Sequence, residues 1–362
     1  MIPVSDPTRQ NTALLPELSE AVGAVLRHGR FIAGPEVAQF EEVFRTWLGA
    51  PHAVGVGNGT DAIRLMLEAA GVGPGDEVLI PDFTMIATAE SVAALGAVPV
   101  LVEIEAGTYM IDADAAAAAV TPRTRAALVV DLFGAPCPLP ELPGGIEVFE
   151  DACQAHGATL HGRAVGTLGR AGSFSFFPAK NLGGIGDGGM VTTGDPDLAD
   201  AVRRLRNHGR VAQYEHDHLG CNSRLDSVQA AALLVKMRYI EQGNARRQAI
   251  AAAYDERFAE LDLDLPRVAD GGRSVYNLYV VASDDRDTLR ARLAEREVAT
   301  LVHYERPMHR QPALAGVAVP PRRPERTEEI CSRVMSLPCF PELSDGEVEH
   351  VMEAVVAAVT GG

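Results

Sequence analysis

Short apolar runs separated by segments of helical period set the pattern of this chain. The runs lie at 53–56, 77–80, 98–102, 126–130, 146–149, 174–177 and 190–193. Runs this short, alternating with helical stretches, predict a mainly parallel sheet covered by helices on both faces. After Asp195-Pro196, a cap followed by proline at the first helical position, Leu198, Ala201, Val202 and Leu205 fall on one helical face. A second helix, rich in Ala and Leu, is expected over 225–239, and Ala113 to Ala119 reads as an alanine-rich helix. Beyond about Glu241 the pattern changes: strands are expected at 275–281 and 300–303, and helices at 288–295 and 345–359. The predicted organisation is a large domain over 1–240 and a smaller α+β domain over 241–362. The helix at 18–26, closed by Gly29, is a candidate to pack with the smaller one.

At 362 residues, 47% hydrophobic, the chain is long enough to bury a large core. Its formal net charge of −17 argues against nucleic acid or an anionic membrane as partner, because binding there needs clustered Lys and Arg. An anionic small substrate is still compatible through a local basic pocket. The cysteines Cys137, Cys153, Cys221, Cys331 and Cys339 are scattered, with no metal-ligand spacing, so no metal site and a reducing, cytoplasmic setting are expected. The segment Met1 to Pro7 lacks a basic stretch followed by an apolar one, and no run is long enough to span a bilayer.

The chemistry concentrates around one lysine. Lys180 stands between the aromatic run 174–177 and the glycines Gly183 to Gly189, with Asp151 earlier at a strand end. An amine attacks an aldehyde only when it is neutral part of the time, which a desolvated pocket allows. An acid set apart from it can keep a ring nitrogen protonated. The pair describes a Schiff-base site for pyridoxal phosphate. The turn Gly55-Val56-Gly57-Asn58-Gly59-Thr60 carries Thr60 where a dinucleotide fingerprint has its third glycine. It suits a single phosphate at a helix N-terminus, with a structural turn or a nicotinamide site as alternatives. No Gly-Lys-Ser/Thr follows Gly183 to Gly189, which argues against a nucleotide-hydrolysing loop.

Taken in order, Phe31-Ile32-Ala33-Gly34-Pro35, Gly59-Thr60-Asp61-Ala62, Glu150-Asp151-Ala152, the Lys180 segment, His303-Tyr304 and Leu337-Pro338 resemble the DegT/DnrJ/EryC1/StrS sugar aminotransferases, of the fold-type I (aspartate-aminotransferase-like) pyridoxal phosphate enzymes. The resemblance covers nearly the whole chain. It implies Lys180 and Asp151 as catalytic residues, Gly59, Thr60 and Ser175 around the cofactor phosphate, and Gln154 near the phenolic oxygen. It implies that Asn222 reaches the phosphate of a neighbouring subunit, in a homodimer with composite sites; a helix cap is the other reading of Asn222. Met85 stands where the family usually stacks an aromatic residue on the ring, and Asp131 replaces a frequent histidine near the substrate. His303, Tyr304 and His309 match a segment at the active-site mouth. Lysine rather than histidine at 180 selects transamination over deoxygenation. The implied reaction moves an amino group from L-glutamate to a nucleotide-linked keto-sugar, and Asn222-Ser223-Arg224-Leu225-Asp226 looks more like the 3-keto branch than the 4-keto one. A 4-keto sugar, a keto-cyclitol, or a non-catalytic cofactor-binding role on the same fold are the alternatives.

Overall fold

The computed structural model describes residues 1–361. The expected sheet is present: β1 (His52–Val56), β2 (Glu77–Pro81), β3 (Val98–Val102), β4 (Thr124–Val130) and β5 (Glu147–Asp151) are followed by a small hairpin, β6 (Thr159–Leu160) and β7 (Arg163–Ala164), and then by β8 (Ala171–Ser175) and β9 (Gly189–Thr193). Seven of these strands pair in the order β1-β9-β8-β5-β4-β2-β3. β9 runs antiparallel to both neighbours, and the other pairings of the sheet are parallel. Parallel strands buried on both faces need no polar alternation, which is why they read as continuous apolar runs. The open edge of β3 is covered by the segment around Val319, whose backbone exchanges hydrogen bonds with Pro99 and Leu101.

The aromatic run lies differently from expectation. The strand ends at Ser175, and the chain turns instead of continuing through Phe177, with Lys180 N–H donating to the Phe177 carbonyl at 2.9 Å and Gly184 N–H to that of Phe176 at 2.7 Å. Phe174 and Phe176 are nonetheless buried, against Phe40 and Phe44 of the helix Pro35–Leu48. Those edge-on contacts, each worth about 0.5–1.5 kcal/mol beyond area burial, fix the strand that leads to the lysine.

In the C-terminal part, the strands Tyr279–Ala282 and Val334–Leu337 pair antiparallel, and with the helices Ile240–Phe258, Arg286–Glu295 and Asp345–Thr360 they enclose a core that includes Tyr254, Phe258 and Val351. The strand expected at 275–281 starts later because Val275 and Leu278 donate to the carbonyls of Gly134 and Phe133. The strand expected at 300–303 reduces to one bridge, Leu301 to Ser336. The helix Leu15–His28 packs through Leu18 on Ala232 and Val235 of the helix Ser227–Met237. The residues before it reach the C-terminal part, where Arg9 makes two hydrogen bonds to Glu347 at 2.8 and 2.7 Å. Among the described residues no helix is long and apolar enough to cross a membrane, and no cluster of ligands suits a metal.

Candidate active site

The site collects at the ends of β1, β5 and β8, where a parallel sheet presents its loops. Asp151 closes β5 and is buried; its Oδ2 accepts from the Thr88 hydroxyl at 2.9 Å and its Oδ1 from the Cys153 N–H at 3.3 Å. Thr88 is itself enclosed, and its hydroxyl lies 3.2 Å from that of Thr84, four residues back in the loop before the helix Ile86–Ala93. Sequence reasoning missed this pair. The signal was the i, i+4 spacing of two threonines directly after Asp82-Phe83.

Lys180 is half-buried in the turn after β8. Burial holds its ammonium below the ordinary lysine value, while nearby Cys153 and Asp151 pull it back up. Desolvation wins, so the amine is neutral at lower pH than a surface lysine.

The helix Gly59–Ala69 opens beside them. Asn58 Oδ1 caps it by accepting from Asp61 N–H at 2.8 Å, which leaves the N–H groups of Gly59 and Thr60 without partners inside the helix. A Cβ on residue 59 would sit 2.6 Å from Ser175 Cβ and 3.1 Å from Cys153 Sγ, so only glycine lets the helix start approach the Ser175 strand. Two free N–H groups, two hydroxyls and a helix dipole make an anion cradle.

Gln154 is no solvated amide. Its Oε1 accepts from Phe133 N–H at 2.9 Å and its Nε2 donates to the Tyr304 hydroxyl at 3.2 Å. Tyr304 packs against Phe83 and Phe133, and burial pushes its hydroxyl up to about 12, where Asp151 and Cys153 add to the shift and Gln154 opposes it. His303 Nδ1 lies 2.8 Å from Ser336 Oγ, and burial, then the charge of Lys180, hold its ring below the usual histidine range. His309 is not drawn in. Its ring nitrogens lie 2.5 Å from Asp82 and 3.1 Å from Glu328, contacts that tie its segment to the loop after β2. Burial pushes the Asp82 carboxyl up to about 6.

Met85 occupies the N-cap position of the helix Ile86–Ala93 and is 48% exposed, free to cover a ligand. Asp131 is fully buried; its Oδ1 accepts from Cys137 N–H at 2.7 Å and its Oδ2 has no partner. Burial, with Glu150 and Asp151 nearby, holds its carboxyl well above the usual range. Asn222 is exposed and is no helix cap, because the next helix starts at Ser227 with Asp226 in the cap position. Volume alone does not mark the site: a concavity of about 650 Å³ lies at the opposite ends of β1 and β8, around Pro51, Arg170 and Thr193, and holds none of these groups.

A desolvated lysine, a buried carboxylate held by two donors and a phosphate cradle form a donor set that suits pyridoxal phosphate. Fold and site define a pyridoxal phosphate-dependent aminotransferase. The chain belongs to the DegT/DnrJ/EryC1/StrS aminotransferase family, which matches residues 14–356. It is 42% identical over 360 residues to the dTDP-3-amino-3,4,6-trideoxy-alpha-D-glucose transaminase of Streptomyces venezuelae, covering 98% of this chain and 95% of that one. It is 42% identical over 363 residues to the dTDP-3-amino-3,6-dideoxy-alpha-D-galactopyranose transaminase of Aneurinibacillus thermoaerophilus, covering 98% and 99%. The structure of S. venezuelae DesV, solved in complex with a ketimine intermediate, superposes with a TM-score of 0.94 at 40% identity over 99% of this chain and 98% of that one.

The lowered pKa of Lys180 is testable without turnover. In cofactor-free protein, labelling of Lys180 by a small amine reagent, followed by mass spectrometry across pH, should rise through a midpoint below 10.5. A midpoint at or above the surface lysine value contradicts the desolvated site.

Proposed function

We propose that this enzyme moves the amino group of L-glutamate to the keto carbon of a nucleotide-linked 3-keto sugar, a 3-keto-6-deoxy sugar or a close relative. The observation that carries the reading is that two relatives sharing 42% of residues along nearly the whole chain are both named for a 3-amino sugar. The wording Asn222-Ser223-Arg224-Leu225-Asp226 supports the same branch.

Bound pyridoxal phosphate supplies an electron sink for the carbanion formed at the donor's α-carbon and carries the amino group between half-reactions. Lys180 would hold the cofactor through its amine and, once freed by the donor amine, would take a proton from the donor's α-carbon and deliver one to the cofactor carbon two bonds away, as general base and then general acid. Its low pKa suits both duties. Asp151, braced by Thr88 and Cys153, would hold the ring nitrogen protonated once the cofactor is bound. Gly59, Thr60 and Ser175 would take the phosphate, Gln154 the phenolic oxygen, and Met85 one ring face, where its sulfur would pack more weakly than an aromatic ring.

The site is shared between two copies in this proposal. Asn222 is exposed at the surface, as are Phe31, Ile32, Tyr214 and Leu219, apolar groups that a second subunit would cover. The free cysteines fit work in a reducing cytoplasm.

A panel of nucleotide-linked 3-keto and 4-keto sugars, assayed with glutamate, should return the highest kcat/KM for a 3-keto member. A 4-keto sugar or a keto-cyclitol in first place overturns the acceptor assignment. Mixing Asn222→Ala with Lys180→Ala subunits should put both defects in one site and restore the other, recovering activity from two weak parents. If subunit exchange is demonstrated and no activity returns, Asn222 does not act across the interface.

A further inference from the structure

Directly after the lysine, Asn181 is the hub of a buried amide network. Its Nδ2 donates to Asn244 Oδ1 at 2.8 Å and to the Val275 carbonyl at 3.0 Å, and its Oδ1 accepts from Asn277 Nδ2 at 3.0 Å. Asn244, 2% exposed on the helix Ile240–Phe258, donates in turn to the His156 carbonyl at 2.8 Å. Gly157 is shaped around this contact, since a Cβ there would come within 2.8 Å of Asn244 Nδ2.

The network closes on itself. Val275 N–H donates to the Gly134 carbonyl at 2.8 Å, and the neighbouring Phe133 N–H holds Gln154 Oε1 at 2.9 Å. Gln154 lies two residues before His156, whose carbonyl receives Asn244. A ring of hydrogen bonds thus joins the residue beside Lys180 to the residue assigned to the phenolic oxygen. It passes through Asn244 and Val275 of the C-terminal half, while Asn277 braces Asn181 from outside the ring. One helical turn on, Arg247 Nη1 bonds the carbonyls of Tyr276 and Cys339, fastening the same helix to the same segment.

We propose that Asn244 and Asn277 are positioning residues that act through Asn181 to set where the Lys180 amine stands relative to Gln154 and Asp151. The proposal rests on the reading of Lys180 as the proton-transferring group. Breaking one bond of a buried ring leaves its partner amide unpaired, so the ring resists small displacements of the lysine. Its members are uncharged, which spares Lys180 an added carboxylate that would raise its pKa. An aspartate at 244 would still accept from Asn181, yet it would lose the donation to His156 and bring that charge.

The test uses holoenzyme. Asn277→Ala should lower kcat for the glutamate half-reaction about tenfold with KM for glutamate within about twofold, the pattern of a misplaced proton-transfer group. Its melting temperature should stay within a few degrees. Asn244→Asp should move the pH at which the visible band of the lysine-bound cofactor titrates upward by about one unit, the effect of a carboxylate placed next to the Asn181 amide. Wild-type kcat together with an unmoved titration overturns the proposal, as does a kcat loss that simply follows loss of melting temperature. If Asn244→Asp does not fold, Asn244→Ser reads the same kcat and KM split as Asn277→Ala, and wild-type kcat there counts equally against the proposal. Hydride reduction followed by peptide mapping separates the two readings: failure to trap the cofactor on Lys180 in the wild type removes the role of Lys180 itself.

Discussion

Loss of water around two opposite charges at one sheet edge is the constraint on which the rest of this structure depends. Lys180 is held below its ordinary pKa by burial, against the pull of Cys153 and Asp151. Each unit of such a shift corresponds to about 1.4 kcal/mol, so small movements of either group change how much neutral amine is present. The fold supplies replacements for the missing water unevenly. Asp151 receives a hydroxyl and an N–H, whereas the neighbouring Glu150 receives the N–H groups of Gly166, Leu168 and Gly169, each at 2.8 Å. Asp131 receives one N–H and keeps an unpartnered oxygen. Of three carboxyl groups crowded at the ends of β4 and β5, Asp131 has the fewest donors, and burial beside Glu150 pushes its carboxyl well above the usual range.

The architecture makes this distribution possible. Strand alternation puts Asp151 and Glu150 on opposite faces of β5, so the first meets the helix Ile86–Ala93 and the second anchors the loop 166–169. The strand carrying Ser175 is clamped by Phe40 and Phe44 from one side and approached by Gly59 from the other. Removing one of those buried rings would cost about 3–5 kcal/mol, and the damage would reach the turn that carries Lys180.

Much of the sheet was legible because parallel strands leave a distinct trace: the runs at 77–80, 98–102 and 190–193 fall inside or on observed strands. Errors arose where the chain exchanged regular pairing for specific contacts. Phe176 and Phe177 look like strand residues, yet the turn that follows takes their hydrogen bonds; Val275 bonds Gly134 in place of a sheet neighbour. In the site, the lysine, the acid and the glycine–threonine turn were legible because each has a chemistry that few sequences arrange together. Thr88, Asn58 and Asn244 were not. Their roles come from partners distant in sequence or from one cap geometry, and a lone Thr or Asn carries no periodic signal.

The central claim is that the carboxylate of Asp151, fixed by Thr88 and Cys153, keeps the bound cofactor's ring nitrogen protonated. The ¹⁵N chemical shift of holoenzyme carrying ring-labelled cofactor reports that proton directly. The account predicts a pyridinium shift that stays constant from weakly acidic to weakly alkaline pH and moves toward the neutral pyridine value in Asp151→Asn. A neutral pyridine shift in the wild type would contradict it.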